Sequence, residues 1–453
     1  MKRLLQRFRN TIFFILKLIL YGTLMVLFFE IMGIDHPYIL RLSRTSVVTV
    51  FSFVLSAMML TSIYGHCDIG ERKSKPIIYS IALAMLFTDG ITYLMLMIMN
   101  VNDRNNAHFQ IESVHLFLII YVLQVVVTIL ITYLGNYLYF VIMPPEKCVV
   151  VTGSPKRVQS FLNGIRRFKK QYCITYTVDE KDESMWDKVL ECDTIFLHDV
   201  SAKNQRELME YAYRADKHVC VNPGITDVMG LNAKHAILDD VPIIVSGPKY
   251  MTLEQRFAKR AIDIAVSLTG LIILSPVLLG CAIAIKMDDG GKILFKQDRV
   301  TRGRQIFSIY KFRTMKENVE NRSASSGDDR ITKVGKGMRK YRLDEIPQLV
   351  NILKGEMSLV GPRPEMIENE TAYQQDLPEF AYRHRVKAGL TGYAQISGKY
   401  NTSSKDKLML DLQYIQSFSL WNDLKLIFQT PIVLLKASDS TEGFQSNEPI
   451  EKE

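Results

Sequence analysis

Four apolar runs, at about residues 11–33, 46–64, 77–99 and 114–143, constrain this chain more than any other feature. Each is long enough to cross roughly 30 Å of hydrocarbon as a helix. In that solvent every backbone amide must be satisfied within its own segment, so four transmembrane helices are expected over residues 1–145. The basic start, Lys2-Arg3 with Arg7 and Arg9, and the second connection, with Arg72, Lys73 and Lys75, place the N-terminus and all that follows residue 143 on the cytosolic face of the membrane. The first connection, with Arg41 and Arg44, weakens that bias without reversing it. Asp89 lies inside the third run, where an acid is either functional or a polar contact between helices.

The 453 residues carry a net charge of +9, gathered in patches rather than spread evenly. Such patches suit an anionic membrane face or a phosphate ligand; nucleic acid is set aside because no recognition module accompanies them. The six cysteines form no CxxC pair and have no histidine at zinc spacing, which reads as reduced thiols.

Pro144-Pro145 closes the fourth run, and the pattern then changes to short β-branched strands between charged helical stretches. Cys148-Val-Val-Val-Thr-Gly, Cys173-Ile-Thr-Tyr-Thr-Val, Thr194-Ile-Phe-Leu-His, His218-Val-Cys-Val and Val241-Pro-Ile-Ile-Val read as five strands of a Rossmann-like α/β domain over residues 146–250. Gly153-Ser-Pro follows the first strand without a GxGxxG, and Pro155 removes an amide that a nucleotide loop would use. A regulatory or assembly module is expected there rather than a cofactor site.

Residues 261–286 form a fifth apolar run, but basic residues flank both ends: Arg256, Lys259 and Arg260 before it, Lys286, Lys292, Lys296 and Arg299 in and after it. Spanning would export one cluster. Ser275-Pro276 breaks the run near its middle, where proline removes a helical hydrogen bond and the serine hydroxyl can satisfy a freed carbonyl. The residues alone leave open a kinked spanning helix and a re-entrant helix that returns to its starting face.

Beyond it, Ile346, Leu349, Val350 and Leu353 recur at helical spacing before Gly355. Asp344 is thereby placed as the N-cap and Pro347 in the first turn. An acidic cap is ordinary helix chemistry, but Arg339, Arg342 and Arg363, with Lys311 and Arg313 upstream, supply more cation than a cap requires. One carboxylate could attack phosphorus and its neighbour hold Mg²⁺. The acid pairs Asp239-Asp240, Asp288-Asp289 and Asp328-Asp329 are read as exposed turns. Arg330, Arg383, Arg385 and Lys387 are either phosphate contacts or solvated charges, and Tyr393 and Gln395 either shape a pocket or serve local structure.

Several motifs over residues 252–437 together resemble the bacterial polyprenyl-phosphate hexose-1-phosphate transferases, also called monotopic phosphoglycosyl transferases. They are Ser275-Pro276, Lys311-Phe-Arg-Thr-Met315, Asp329-Arg-Ile-Thr332, Leu343-Asp-Glu345, Gly361-Pro-Arg-Pro364 and Gly389-Leu-Thr-Gly-Tyr-Ala-Gln-Ile-Ser-Gly398. The four helices and α/β domain ahead of them look like the large subgroup. The resemblance implies an α-rich α+β catalytic domain at 251–437, anchored by a re-entrant helix broken at Ser275 and Pro276, with a polar tail at 438–453. It implies Asp344 as nucleophile, Glu345 as the Mg²⁺-associated carboxylate and Lys311, Arg339 and Arg363 as basic positions, with Arg313 in the same motif. The implied reaction transfers a hexose-1-phosphate from a UDP-sugar to undecaprenyl phosphate through a phosphosugar-aspartate, releasing UMP, as the first membrane step of exopolysaccharide, capsule or O-antigen synthesis. The sugar, a homodimer and the role of the α/β domain stay open. Two competing readings are a polyprenyl-phosphate glycosyltransferase that releases UDP and a membrane sensor or scaffold.

Overall fold

The structure, a computed structural model, describes residues 9–65, 67–70, 72–99, 109–155, 158–316, 328–398 and 403–435. The expected polar tail at 438–453 lies outside these. The chain divides into two compact units, Met1–Gly224 and Ile225–Glu453.

The first unit opens with helices α1 (Arg9–Met32), α2 (Arg44–Tyr64), α3 (Ser74–Met99) and α4 (Val114–Ile142), all long and apolar enough to cross a membrane. Their apolar side chains face outward as well as inward, as a lipid solvent allows: Leu18, Phe51 and Leu130 are more than 60% exposed. The polar residues turn inward; some are bonded to neighbours, whereas Thr88 Oγ1, Gln124 Oε1, Thr128 Oγ1 and Thr132 Oγ1 are buried without a hydrogen-bond partner among the described residues. Thr49 and Thr61 donate to the carbonyls four residues back. Asp89 is fully buried and accepts from Gln124 Nε2 at 3.3 Å, while the same amide donates to Leu24 O. Asp89 therefore serves as a polar contact joining α3 and α4.

Next come β1 (Glu146–Thr152), α5 (Val158–Arg166), β2 (Tyr172–Asp179), α6 (Met185–Leu190), β3 (Thr194–His198), α7 (Ala202–Arg214) and β4 (His218–Val221). The strands form one parallel sheet in the order β2-β1-β3-β4. Val149, Val150, Val151, Ile195 and Leu197 in its two central strands are buried between helical layers. Where β1 and β3 end, the crevice expected at such a crossover is closed by the chain itself. Glu180 Oε2 accepts from the Ser201 amide at the start of α7 (2.8 Å) and from Asn204 (3.1 Å).

The second unit begins with α8 (Ile225–Gly230) and the hairpin β5 (Lys234–Leu238) and β6 (Val241–Val245). The segment at 241–245 is thus not a fifth parallel strand. A two-residue turn at Asp239-Asp240, with Asp239 left-handed at φ 58°, folds it back on its predecessor, and a local partner wins over a distant sheet edge. Then follow α9 (Leu253–Ile273) and α10 (Ser275–Asp289), bent by 60° at Leu274. Pro276 sits in the first turn of α10, where its missing amide costs nothing, and Ser275 Oγ donates to Ile272 O at 2.8 Å. The remainder comprises β7 (Leu294–Val300), β8 (Ile306–Phe312), α11 (Lys333–Lys340), α12 (Gln348–Lys354), β9 (Ser358–Val360), α13 (Ile367–Asp376), β10 (Gly389–Thr391), α14 (Tyr393–Ser397), α15 (Ser404–Gln416) and α16 (Leu420–Leu435). Its core centres on the fully buried Ile352, Met357, Phe380, Leu408, Leu412 and Leu426. Burying each such side chain is worth about 1.5–3 kcal/mol, which fixes α12 and β9 as a platform.

Candidate active site

Strand periodicity supplies the first cation. Phe307, Ile309 and Lys311 alternate onto one face of β8, so after two core residues the third inward position is a lysine. Its Nζ lies 3.5 Å from Glu345 Oε1.

The acid pair lies in a 3-10 turn, Leu343–Glu345, and not at the start of α12. Helix α12 begins only at Gln348, with Pro347 in the capping position and no side-chain cap. The expectation of Asp344 as N-cap fails because Arg342 adopts a left-handed conformation (φ 52°, ψ 27°) that turns the chain before the helix starts. A non-glycine residue held there costs on the order of 1–2 kcal/mol, so the surrounding packing enforces this turn.

Two anchors fix the turn. Gly335, at the start of α11, packs against the Thr314 carbonyl with no room for a Cβ, and Arg339 Nε at the end of that helix donates to Thr314 Oγ1 at 2.8 Å. At the far end of α12, Arg260 from α9 donates to Ile352 O and Leu353 O, both at 2.6 Å, satisfying carbonyls that the helix leaves open. Asp263, one turn on, accepts from Ser358 Oγ and the Leu359 amide, pinning the bent helix to β9. Beyond β9 the chain reaches Gly361-Pro-Arg-Pro364. Gly361 and Gly389 pass so closely that a Cβ on either would strike backbone. From this turn Arg363 Nη2 donates to Glu345 Oε1 at 3.0 Å, with its side chain 42% exposed on the open side of the site.

The two carboxylates are driven apart electrostatically. Burial, and then the neighbouring Glu345 charge, raise Asp344 to about 6 against the opposing pull of Lys311 and Arg339. Burial would raise Glu345 as well, but Arg363, Lys311 and Arg342 outweigh it and hold that group well below the usual carboxylate range. One acid is therefore held ionised and paired, while the other is a more basic carboxylate than usual with Lys311 and Arg339 beside it. Burial lowers Lys311 in turn, which the Glu345 charge opposes.

The donor set suits Mg²⁺ in one specific way. Among the described residues no three His, Cys, Asp or Glu side chains gather into a metal cage. Two adjacent hard carboxylates fit an ion that takes one or two protein oxygens and completes its shell with water and substrate phosphate. Arg363 and Lys311 both address Glu345 Oε1, so neither of these contacts occupies Oε2.

Of the residues picked from sequence, Lys311, Arg339 and Arg363 gather with Asp344 and Glu345. Arg313 does not. It pairs through two nitrogens with Asp289 at the end of α10 and donates to Lys292 O, so it ties the second arm of the bent helix to β8. Asp289 is accordingly no idle turn residue, nor is Asp328, which is buried against Arg330. Arg383 is neither solvated nor a phosphate contact. Fully enclosed, it lies 2.8 Å from Asp411 and donates to Arg363 O at 2.6 Å, steadying the Gly-Pro-Arg-Pro turn. Tyr393 bonds Asn422, and Gln395 bonds the Gly389 carbonyl.

Sequence reasoning missed Arg299. Half-buried in β7, it donates to Pro364 O at 3.2 Å and is lowered to about 10, first by desolvation and then by Arg363. It stiffens the turn that carries Arg363. Its only sequence signal was an arginine near the end of an apolar strand, which membrane-flank logic had already explained.

The profile of the family described as bacterial sugar transferase matches residues 254–437. Over 180 residues the chain is 42% identical to a protein of Aeromonas hydrophila named UDP-N-acetylgalactosamine-undecaprenyl-phosphate N-acetylgalactosaminephosphotransferase, covering 38% of this chain and 43% of that one. Two relatives carry the name UDP-glucose:undecaprenyl-phosphate glucose-1-phosphate transferase. That of Escherichia coli is 36% identical, over 46% of this chain and 47% of its own length. That of Caulobacter vibrioides is 39% identical, over 40% of this chain and 71% of its own length. The chain thus matches less than half the length of the first two.

Proposed function

This chain belongs to the bacterial sugar transferase family, and on that premise we propose that it transfers a hexose-1-phosphate from a UDP-sugar to undecaprenyl phosphate, through a covalent intermediate on Asp344. The observation that carries the proposal is the division of labour in the acid pair. Glu345 is neutralised by Arg363 and Lys311, whereas Asp344 is raised toward neutrality, where a carboxylate is still ionised at pH 7 but more basic than usual.

In the first step a carboxylate oxygen of Asp344 attacks the sugar-bearing phosphorus. An O–P bond forms, the bond from that phosphorus to the bridging oxygen breaks, and UMP leaves with the electron pair. Arg339, Arg342 and Arg363 spread the charge that develops on the phosphoryl oxygens. In the second step an oxygen of undecaprenyl phosphate attacks the same phosphorus and the aspartyl O–P bond breaks. Undecaprenyl-diphosphate-sugar forms and the carboxylate is restored. Glu345 would hold Mg²⁺ together with substrate phosphate oxygens, and the ion would supply further neutralisation of the pyrophosphate.

The bent pair α9–α10 is taken to enter the bilayer and return to the face it left, the α/β domain and catalytic unit lying on the cytoplasmic side. Supporting this are the 60° break, the Ser275 bond to Ile272 O and basic residues at both feet. The lipid phosphate and the nucleotide sugar then meet in one site, and a difficult encounter becomes intramolecular. Such a product is the first lipid-linked intermediate of an exopolysaccharide, capsule or O-antigen. The Rossmann-like domain is read as a regulatory or assembly module, its crevice being filled by Glu180.

The test is incubation of purified protein with UDP-glucose, UDP-galactose and their N-acetylated amino forms, plus Mg²⁺ and undecaprenyl phosphate. UMP is the expected nucleotide product. UDP would overturn the proposal in favour of glycosyl transfer.

A further inference from the structure

A second concentration of positive charge lies apart from the acid pair, at the foot of α9. A cavity of about 220 Å³ is lined by seven basic side chains and one acid. It is larger than the ~150 Å³ void that accepts a benzene ring, so it has room for a phosphate with part of its ester.

Four of the cations have structural duties. Arg260 caps α12, Lys387 donates to Gly355 O, Lys249 donates to Phe418 O, and Lys259 pairs with Asp423 at 2.5 Å. The acid, Asp263, is occupied by Ser358 and Leu359. Arg256, Arg302 and Arg385 have no carboxylate partner among the described residues. Burial, then the charges of Arg260, Arg302 and Lys259, push Lys387 below its ordinary value against the opposing pull of Asp263, as expected where like charges outnumber their counterions. Seven cations around one cavity, with Asp263 and Asp423 as their anionic neighbours among the described residues, constitute a site short of negative charge.

The same helix indicates where that charge comes from. Past the cavity, α9 presents Ile264, Leu268 and Ile272 at intervals of four, an outward stripe 40%, 51% and 65% exposed, and Phe257, level with the cavity, is 79% exposed. At 1.5 Å per residue, Leu268 lies about 12 Å beyond Arg260 along the axis, the spacing from a lipid phosphate to the upper part of its acyl chains. A soluble anion would use the cavity but not the stripe.

We propose that this cavity binds the phosphate of an anionic membrane lipid whose acyl chains lie along the outward stripe of α9. The inference rests on the membrane placement of α9–α10 proposed above. The lipid would lock the foot of the bent helix, and through Arg260 and Asp263 the platform of α12 and β9 that carries both halves of the active site.

The test uses full-length protein in mild detergent. Short-chain phosphatidylglycerol and phosphatidylcholine are offered together and the retained lipid is measured by native mass spectrometry, with no turnover involved. Wild-type protein is expected to retain phosphatidylglycerol at least about fivefold over phosphatidylcholine, and the R256Q/R302Q/R385Q triple variant, which spares every structural bond named above, to lose that preference. Equal retention of the two lipids by wild-type protein would overturn the proposal without reference to any variant's folding, as would undiminished preference in the triple variant. In a second arm, millimolar inorganic phosphate should leave the bound lipid in place; displacement would assign the cavity to a soluble phosphate instead. UMP release measured on the same preparations separates failure of this site from failure of the transferase reading.

Discussion

Two places in this molecule have the makings of an anion site, and they are completed in opposite ways. In the parallel sheet of the first unit, the crevice between β1 and β3 faces the start of α7, where a ligand phosphate would find a free amide. Glu180 takes that amide and Asn204 as well, so the chain has supplied its own anion. In the second unit Glu345 likewise occupies Arg363 and Lys311, but Arg339, Arg342 and an Asp344 raised to about 6 remain around it. The first arrangement is closed and structural. The second retains unspent charge beside Asp344, the nucleophile of the proposed reaction, and that surplus is what the proposal takes to separate chemistry from packing.

The sharpest break between the two sites is mutational. Asp344→Ala should lower UMP release by about 10⁴-fold or more, because a nucleophile has no substitute. Glu180→Gln should leave release within about twofold while costing the first unit about 1 kcal/mol, the worth of a helix-start hydrogen bond, read as a lowered melting temperature. Comparable loss in both would erase the distinction.

Next in size is Arg363→Ala, expected to reduce kcat/KM by about 10²-fold, with Arg363→Lys recovering only part because it restores charge without the planar fork. Arg313→Ala should instead act on stability. Removing it leaves Asp289 unpaired, so the melting temperature should fall while kcat per folded molecule stays within a fewfold.

The pH dependence follows from the signs of the two shifts. Asp344 must be ionised to attack, so kcat/KM should fall as pH drops through about 6. Its folded value is raised, so this group favours folding at low pH and that contribution is lost as pH rises through about 6. Asp344→Asn should accordingly melt higher than wild type at pH 8, by on the order of 2 kcal/mol, and show little advantage at pH 4.5. Glu345 has the opposite sign. Its contribution is present above the ordinary glutamate range and lost as pH falls toward its depressed value, so Glu345→Gln should destabilise at pH 8.

What could be read from sequence was whatever depends on local pattern. The four apolar helices, the four parallel strands and the break at Ser275-Pro276 come from run length, β-branching and proline geometry, all visible within a short window. The cations around the acid pair were visible as a surplus over what a cap needs. Features set by the choice of partner or by an unusual backbone conformation were not legible. Val241–Val245 looked like another parallel strand because its preference for Lys234–Leu238 depends on a turn two residues long. Asp344 looked like a helix cap because nothing in the sequence announces Arg342 in a left-handed conformation. Arg313 and Arg383 looked like phosphate ligands until the fold supplied Asp289 and Asp411.

The central claim is the covalent step, and intact-protein mass spectrometry tests it most directly. Protein mixed with its UDP-sugar and Mg²⁺, without undecaprenyl phosphate, should release about one equivalent of UMP and gain the mass of one sugar phosphate, localised to the peptide containing Asp344 and absent from Asp344→Asn. Nucleotide release only after undecaprenyl phosphate is added, with no adduct on Asp344, would contradict it.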